Sequence, residues 1–379
     1  MMGMSGDNRS NQEIWLINYT GRKGGGPLDA ISMTRALIDY GESVAAVVSS
    51  EVENLAEWKK LDLIKLVVIE TYKNIADFLI NSFLFPFRQK RQIKKELNGV
   101  QIDVIYCPMI TFWTGSINRL FKDASTIEVL HDPIPHSGEN KIISRSVERE
   151  IKKADIIAVH SKKYVDYVRK KYLKPVIWIP LGRHSEYSII EKRDKGFDYE
   201  AQKTNFLFFG TFSKYKGLDI LAEAFKKVEN ELGEDKCHIY IVGSGDFSPY
   251  RDVYEGITSC TVINRWIPDE EVESYFKGNN LVCVCPYVDG TQSGTVMLAL
   301  EYQVPLIATD VGGIAEQIDD GETGVIIKPN DIEALYDAMM RMANDEVLRK
   351  AMVLNQESSL HKFDWSNSVS KLVDAANGR

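Results

Sequence analysis

Ser293, Gly294, Thr295 and Glu301 carry the densest chemistry of the chain, within TQSGTVMLALEYQVPLIATDVGGIAE at 291–316. A small polar turn that opens a helix presents unpaired backbone N–H groups and the positive end of the helix dipole, which suits a phosphate. Gly294 lets backbone and ligand approach closely, and the apolar run from Val296 to Leu300 anchors the helix in a core. Glu301 follows Ser293 by eight residues, a little over two turns at about 3.6 residues per turn; an ordinary surface glutamate fits the same place. The strand LIATD then runs into Gly312-Gly313, where a ligand can meet the carboxyl edge of a parallel sheet.

Further candidates sit at the ends of other strand-like runs. In FFGTFSKYKGLDIL, Lys214 and Lys216 precede a helix that begins near Gly217, where a lysine either neutralises a diphosphate or belongs to a solvated basic loop. YIVGSGD places Gly243 and Gly245, and INRWIPDEEV places Arg265, Trp266 and Ile267, in loops of the same edge, whose backbone groups can meet a nucleobase. His131, in TIEVLHDPIPHSGE, is at a strand tip and is either structural or in touch with substrate. His136 and His160 are weaker candidates; His160 can line the same cleft, and His184 belongs to an interdomain hinge. In NYTGRKGGGPLDA, Gly24, Gly25 and Gly26 precede a helix with Pro27 in its first turn. This is either a phosphate-binding turn or a flexible strand-to-helix turn, with neither G-x-G-x-x-G nor G-K-[ST] spacing.

What must position these groups is a large α/β framework. The 379 residues, 44% apolar and 26% charged, suit two soluble globular domains. Strand-like runs EIWLINY, SVAAVVS, KLVVIE, DVIYCP, TIEVLH, DIIAVHS and PVIWIPL alternate with helical patterns. After a charged stretch at 186–203 the pattern restarts with NFLFFGT, HIYIVGSG, CTVINRW, NLVCVCP, VPLIATD and GVIIKP. Such alternation means two parallel sheets wrapped by helices. The expected domains are residues 1–184 and 185–362, with a C-terminal helix at 363–379 packing back on the first.

No apolar run approaches the roughly 18 residues that span a bilayer, and the polar N-terminus has no signal-like core. The five cysteines show no zinc spacing and read as reduced core residues of a cytosolic protein, with no metal expected. Net charge is -8, but residues 1–184 carry 27 Lys/Arg against 21 Asp/Glu while the remainder carries 19 against 33. The basic first half suits a phosphate-bearing substrate or an anionic membrane; nucleic acid is disfavoured because no binding motif accompanies the charge. In residues 83–95, Phe83, Phe85 and Phe87 precede Arg88, Lys90, Arg91, Lys94 and Lys95. Aromatics beside a basic cluster suit an anionic bilayer surface, the alternative being a core helix followed by a solvated basic one.

In this order the motifs GGGP, HDP, IPLG, FFG…YKGLDIL, VGSGD, PYVDGTQSG…ALEY, PLIATDVGGIAE, DGETG and FDW resemble those of the GT-B retaining glycosyltransferases of family four, over nearly the whole length. The resemblance implies two Rossmann-like domains facing a deep interdomain cleft, the nucleotide-sugar donor held mainly by the second and the acceptor by the first. It implies that Lys216 and the Ser293–Thr295 turn contact the diphosphate, Glu301 the ribose and Ile267 the base, with His131 near the transferred sugar. Gly25 and Gly26 would lie near the diphosphate or acceptor. Two positions depart from the pattern. Ser293 replaces the first acid of the usual Glu-x7-Glu pair, and Thr211 stands where an arginine often follows the glycine of FFG, leaving Lys214 and Lys216 to supply positive charge.

The expected activity is transfer of a sugar from a UDP- or GDP-sugar to a glycan or lipid-linked acceptor, in surface polysaccharide biosynthesis. Configuration would be retained by same-face attack, without cofactor or metal. The expected location is cytoplasmic, with peripheral contact to the inner membrane face through 83–95. Two alternatives are a nucleotide-sugar epimerase of the same fold and a catalytically degenerate nucleotide-binding homologue, the second motivated by Ser293 and Thr211.

Overall fold

The computed structural model describes residues 13–134, 141–183 and 196–378. Seven strands form the first sheet: β1 (Ile14–Tyr19), β2 (Ser43–Ser49), β3 (Lys65–Ile69), β4 (Val104–Cys107), β5 (Ser125–Val129), β6 (Ile156–Val159) and β7 (Val176–Trp178). Six form the second: β8 (Thr204–Phe209), β9 (Cys237–Gly243), β10 (Cys260–Asn264), β11 (Leu281–Cys285), β12 (Leu306–Thr309) and β13 (Val325–Ile327). Their orders are β3-β2-β1-β4-β5-β6-β7 and β10-β9-β8-β11-β12-β13. Every pairing is parallel, Ile14 lying against Ser43 and Leu281 against Asn205. These are the thirteen apolar runs of the sequence, and the architecture is the GT-B fold.

Helices cover both faces of each sheet, so its central strands are apolar throughout rather than alternating. All five residues of β11 are buried, as are five of the six in β1. Each strand order reverses once, between β1 and β4 in the first sheet and between β8 and β11 in the second. Diverging connections at such a switch open a crevice at the carboxyl ends of the strands. The Gly25–Tyr40 helix leaves β1 there, and the Gly294–Glu301 helix follows β11.

The C-terminal Trp365–Asn377 helix packs on the first sheet's apolar cluster through Trp365, Val369, Leu372, Val373 and Ala376. Trp365 Nε1 donates to the Arg183 carbonyl at 2.8 Å and Ser368 Oγ to that of Pro180 at 2.8 Å. Arg183 also pairs with Asp364 at 2.9 Å. Leu28, from the helix after β1, joins the apolar cluster of the second sheet.

Candidate functional site

The loop that follows β8 carries the positive charge. Lys214 is exposed, whereas Lys216 is half-buried, with Nζ 3.7 Å from the Tyr287 ring centroid and 5.1 Å from that of Tyr215. Loss of water lowers the Lys216 pKa from 10.5 to about 8, with Cys285 and Asp132 pulling it back upward. An ammonium held over an aromatic face and short of water is prepared to gain from an arriving anion.

The Gly294–Glu301 helix supplies the second part. Ser293 is its N-cap: Oγ accepts from the Val296 amide at 3.2 Å and lies 3.3 Å from Tyr287 Oη. The Ser293 amide donates to Gln317 Oε1 at 3.0 Å, and its carbonyl accepts from Gln317 Nε2 at 3.2 Å. Ser293 is therefore turned into the protein, only 2% exposed. Thr295 Oγ1 likewise donates inward, to the Phe209 carbonyl at 3.1 Å. The anion-binding capacity of the turn then rests on the amides of Gly294 and Thr295, which reach no acceptor among the described residues. Residues 295–300 are buried while Gly294 is exposed and Glu301 half-buried. At about 100° per residue, positions seven apart share a face, so Gly294 and Glu301 mark the two accessible ends of one helix face whose middle is buried. Seven steps of helical rise separate the two, roughly 10 Å.

Two expected donor contacts are placed differently from one another. Ile267 is 6% exposed and its side chain belongs to the second core, so only its backbone can meet a base. Neighbouring Trp266 is 42% exposed, with Lys23 of the opposite domain 6.0 Å from its ring centroid. Gly245 adopts φ +147, and a Cβ there would lie 2.8 Å from the Phe212 carbonyl oxygen. Its carbonyl accepts from Asn264 Nδ2 at 3.1 Å, which makes it a strut between the loops after β8, β9 and β10.

On the first domain, Gly25 faces open space, whereas a Cβ on Gly26 would lie 2.7 Å from Tyr19 Oη and 2.9 Å from Met109 Cε. The helix they open has no side-chain cap, and the Gly24 amide donates to Glu53 Oε1 at 3.0 Å. His131, beyond β5, donates through Nε2 to the Pro108 carbonyl at 2.6 Å, and its ring lies 4.9 Å from that of His160. His136 and His184 lie outside the described residues, as does the expected junction at 184/185.

Sequence reasoning missed the contacts that register the two domains. Thr291 Oγ1 donates to Asp132 at 2.8 Å, and Gln292 Nε2 donates to the His160 carbonyl at 3.1 Å. Glu316 accepts from Ser161 Oγ at 3.0 Å and from the amides of Lys162 and Lys163 at 2.8 and 2.9 Å. Asp132, Gln292 and Glu316 all lie inside motifs singled out in the sequence, but partners more than 130 residues away carry no local signal. Among the described residues no group of three or more His, Cys, Asp or Glu side chains is arranged to hold a metal, and no helix is long and apolar enough to cross a membrane.

Two parallel Rossmann-like sheets joined carboxyl edge to carboxyl edge, with a lysine and a helix opening of one facing a histidine of the other, define a chain of the GT-B fold. Residues 203–345, within the second domain, match the family described as glycosyl transferases group 1. The phosphatidyl-myo-inositol mannosyltransferase of Mycobacterium leprae is 25% identical over 169 residues, 44% of either chain. The O-antigen chain mannosyltransferase C of Escherichia coli is 26% identical over 266 residues, 67% of this chain and 68% of that one. The chain thus spans between about half and two thirds of the length of these curated relatives. Sucrose-phosphate synthase from Thermosynechococcus elongatus superposes with TM-score 0.70 at 17% identity, covering 97% of this chain and 99% of that one. Anabaena HepE in complex with UDP and glucose superposes with TM-score 0.68 at 13% identity, covering 97% and 100%.

Proposed function

We propose that this protein is a retaining glycosyltransferase that moves a sugar from a UDP- or GDP-sugar to a glycan or lipid-linked acceptor. The observation that carries the reading is the Lys216 ammonium, short of water, on the same sheet edge as the unengaged amides of Gly294 and Thr295. Both supply positive potential where a departing nucleoside diphosphate develops charge. Lys214, exposed on the same loop, adds longer-range attraction, and Glu301 at the other end of the helix accepts from ribose hydroxyls. Positive charge from lysine and helix amides serves the leaving group without a metal.

Transfer needs no protein nucleophile: the acceptor hydroxyl attacks the face that the diphosphate leaves, and the diphosphate takes its proton. The protein's part is to neutralise, orient and exclude water between the domains. The relatives named above are mannosyltransferases, which supports mannose as the transferred sugar and surface glycan or glycolipid assembly as the setting. An epimerase on the same plan is not favoured, because the matched relatives are named as transferases.

A lipid-linked acceptor is supported by the first domain's surface. The Ile75–Leu84 helix has no buried residue, with Ile75 80%, Leu79 63% and Phe83 75% exposed, and Phe87 beyond it 59% exposed. Phe85 turns inward against Trp113. The Gln89–Glu96 helix that follows carries Lys90, Arg91, Lys94 and Lys95. An apolar stripe beside basic charge suits peripheral contact with an anionic, cytoplasm-facing leaflet.

Incubation with a panel of UDP- and GDP-sugars tests the activity, reading nucleotide release with and without a membrane-extracted acceptor. Acceptor-dependent release from one donor supports the proposal. Binding of no nucleotide diphosphate at millimolar concentration refutes it.

A further inference from the structure

His131 and His160 stand together at the tips of adjacent strands β5 and β6, and backbone carbonyls fix both of their tautomers. A carbonyl can only accept, so the 2.6 Å contact with Pro108 puts a proton on His131 Nε2 and leaves Nδ1 as its open nitrogen. The 3.0 Å contact with the Ile179 carbonyl puts a proton on His160 Nδ1. His160 Nε2 is then a bare acceptor, buried and reaching no partner among the described residues. The two rings are 4.9 Å apart and inclined at 58°. His160 is 5% exposed; burial first, and His131 second, lower its pKa to about 3. The charged groups near the pair are Asp132, Lys216 beyond it, and Glu316 at Ser161.

The backbone of His160 faces the other domain. Its carbonyl accepts from Trp178 Nε1 at 3.1 Å and from Gln292 Nε2 at 3.1 Å, and Gln292 immediately precedes the cap of the Gly294–Glu301 helix. One residue therefore touches the histidine ring on the sugar side of the cleft and the loop on the diphosphate side.

We propose that His160 is a positioning residue, an imidazole anchored through Nδ1–H on the Ile179 carbonyl, that sets the ring of His131 and ties that setting to the helix opening at Gly294. The proposal rests on the transferase reading for its catalytic consequence but not for its geometry. With the Ile179 carbonyl and the Pro108 carbonyl each taking one ring N–H, Nδ1 is left as the open nitrogen of the His131 ring.

The test pairs a double-mutant cycle with NMR of the free protein. His160→Phe keeps a flat ring without its anchoring N–H; His160→Asn keeps a short donor and serves if the first variant does not fold. Either should lower kcat about tenfold with donor KM little changed, and have no further effect in a His131→Ala background. An equal loss in both backgrounds overturns the proposal. Long-range 1H–15N correlation should show Nδ1–H at His160 throughout pH 5–8 and shifted His131 ring resonances in His160→Asn. Titration of His160 in that window, or His131 ring resonances unchanged in the variant, overturns it as well. The NMR arm needs no donor, so absence of turnover would count against the transferase reading alone.

Discussion

Lys216 offers a prediction in which binding and stability move in opposite directions. Its folded-state pKa of about 8 lies below the unfolded value of about 10.4. The charged form is therefore disfavoured in the folded protein: the destabilisation is present in full below about pH 8 and fades as pH rises toward about 10.4. A drop from 10.5 to about 8 corresponds to about 3 kcal/mol as an upper limit, and solvent reaching the half-buried side chain reduces it to about 1–2 kcal/mol. Lys216→Met, which keeps the stem over Tyr287 and drops the charge, should thus raise Tm by about 3–6 °C at pH 7, at about 2–4 °C per kcal/mol for a domain of this size. The same change should weaken UDP or GDP binding at least tenfold, since the diphosphate loses its counter-charge. In the unaltered protein the lysine is about nine-tenths protonated at pH 7 and about one-tenth at pH 9. Affinity should fall about tenfold across that interval, while the terminal phosphate remains doubly charged. Calorimetry at pH 8 in buffers of different ionisation enthalpy should show about half a proton taken up per nucleotide bound. A Kd independent of pH from 7 to 9, with no proton uptake and no Tm gain in Lys216→Met, would refute the reasoning.

Four further outcomes are expected. Glu301→Ala should raise the Kd for UDP or GDP about tenfold while leaving that for inorganic pyrophosphate unchanged, because the carboxylate serves the ribose; equal losses for both would remove it from that role. Glu316→Ala removes three charge-assisted bonds across the cleft and should favour the open form by about 1–2 kcal/mol, seen as a larger radius of gyration in small-angle scattering; an unchanged radius speaks against a clasp. Replacing Ile75, Leu79, Phe83 and Phe87 with Ser should abolish sedimentation with vesicles of anionic lipid and leave soluble-donor hydrolysis intact; undiminished sedimentation sinks the membrane contact. Glu53, desolvated and facing Asp269 of the other domain, has its pKa raised to about 7. Closure should therefore strengthen as pH falls through about 7 and weaken as it rises above, and Glu53→Gln should flatten that dependence in the same scattering experiment.

The thirteen strands were legible because each is a short apolar run bounded by turn residues, the clearest mark a buried parallel strand leaves. The helix at Gly294 was legible for the same reason, being an apolar segment behind a polar cap. The direction in which its cap points was not. Ser293 was expected beside the ligand, yet Gln317, twenty-four residues on, takes both its backbone groups; a reciprocal amide pair of that kind leaves no periodic trace. Ile267 shows a similar limit, since its loop was correctly placed on the sheet edge while its side chain turned into the core. The exposed face of the Ile75–Leu84 helix was obscured because apolar composition at helical spacing reads equally as core. His160 looked secondary because its significance comes from His131, a neighbour supplied by strand pairing rather than by sequence.

The Trp365–Asn377 helix has a mechanical consequence. The polypeptide passes between the lobes twice, once after Arg183 and again where Asp364 returns to meet that same arginine. That meeting point fastens the returning helix to the first lobe through described contacts alone, Trp365 and Ser368 holding the carbonyls of Arg183 and Pro180. Opening to admit a bulky acceptor therefore has to carry the last helix with the first lobe, and the strain of the motion falls on the short stretch that precedes Asp364.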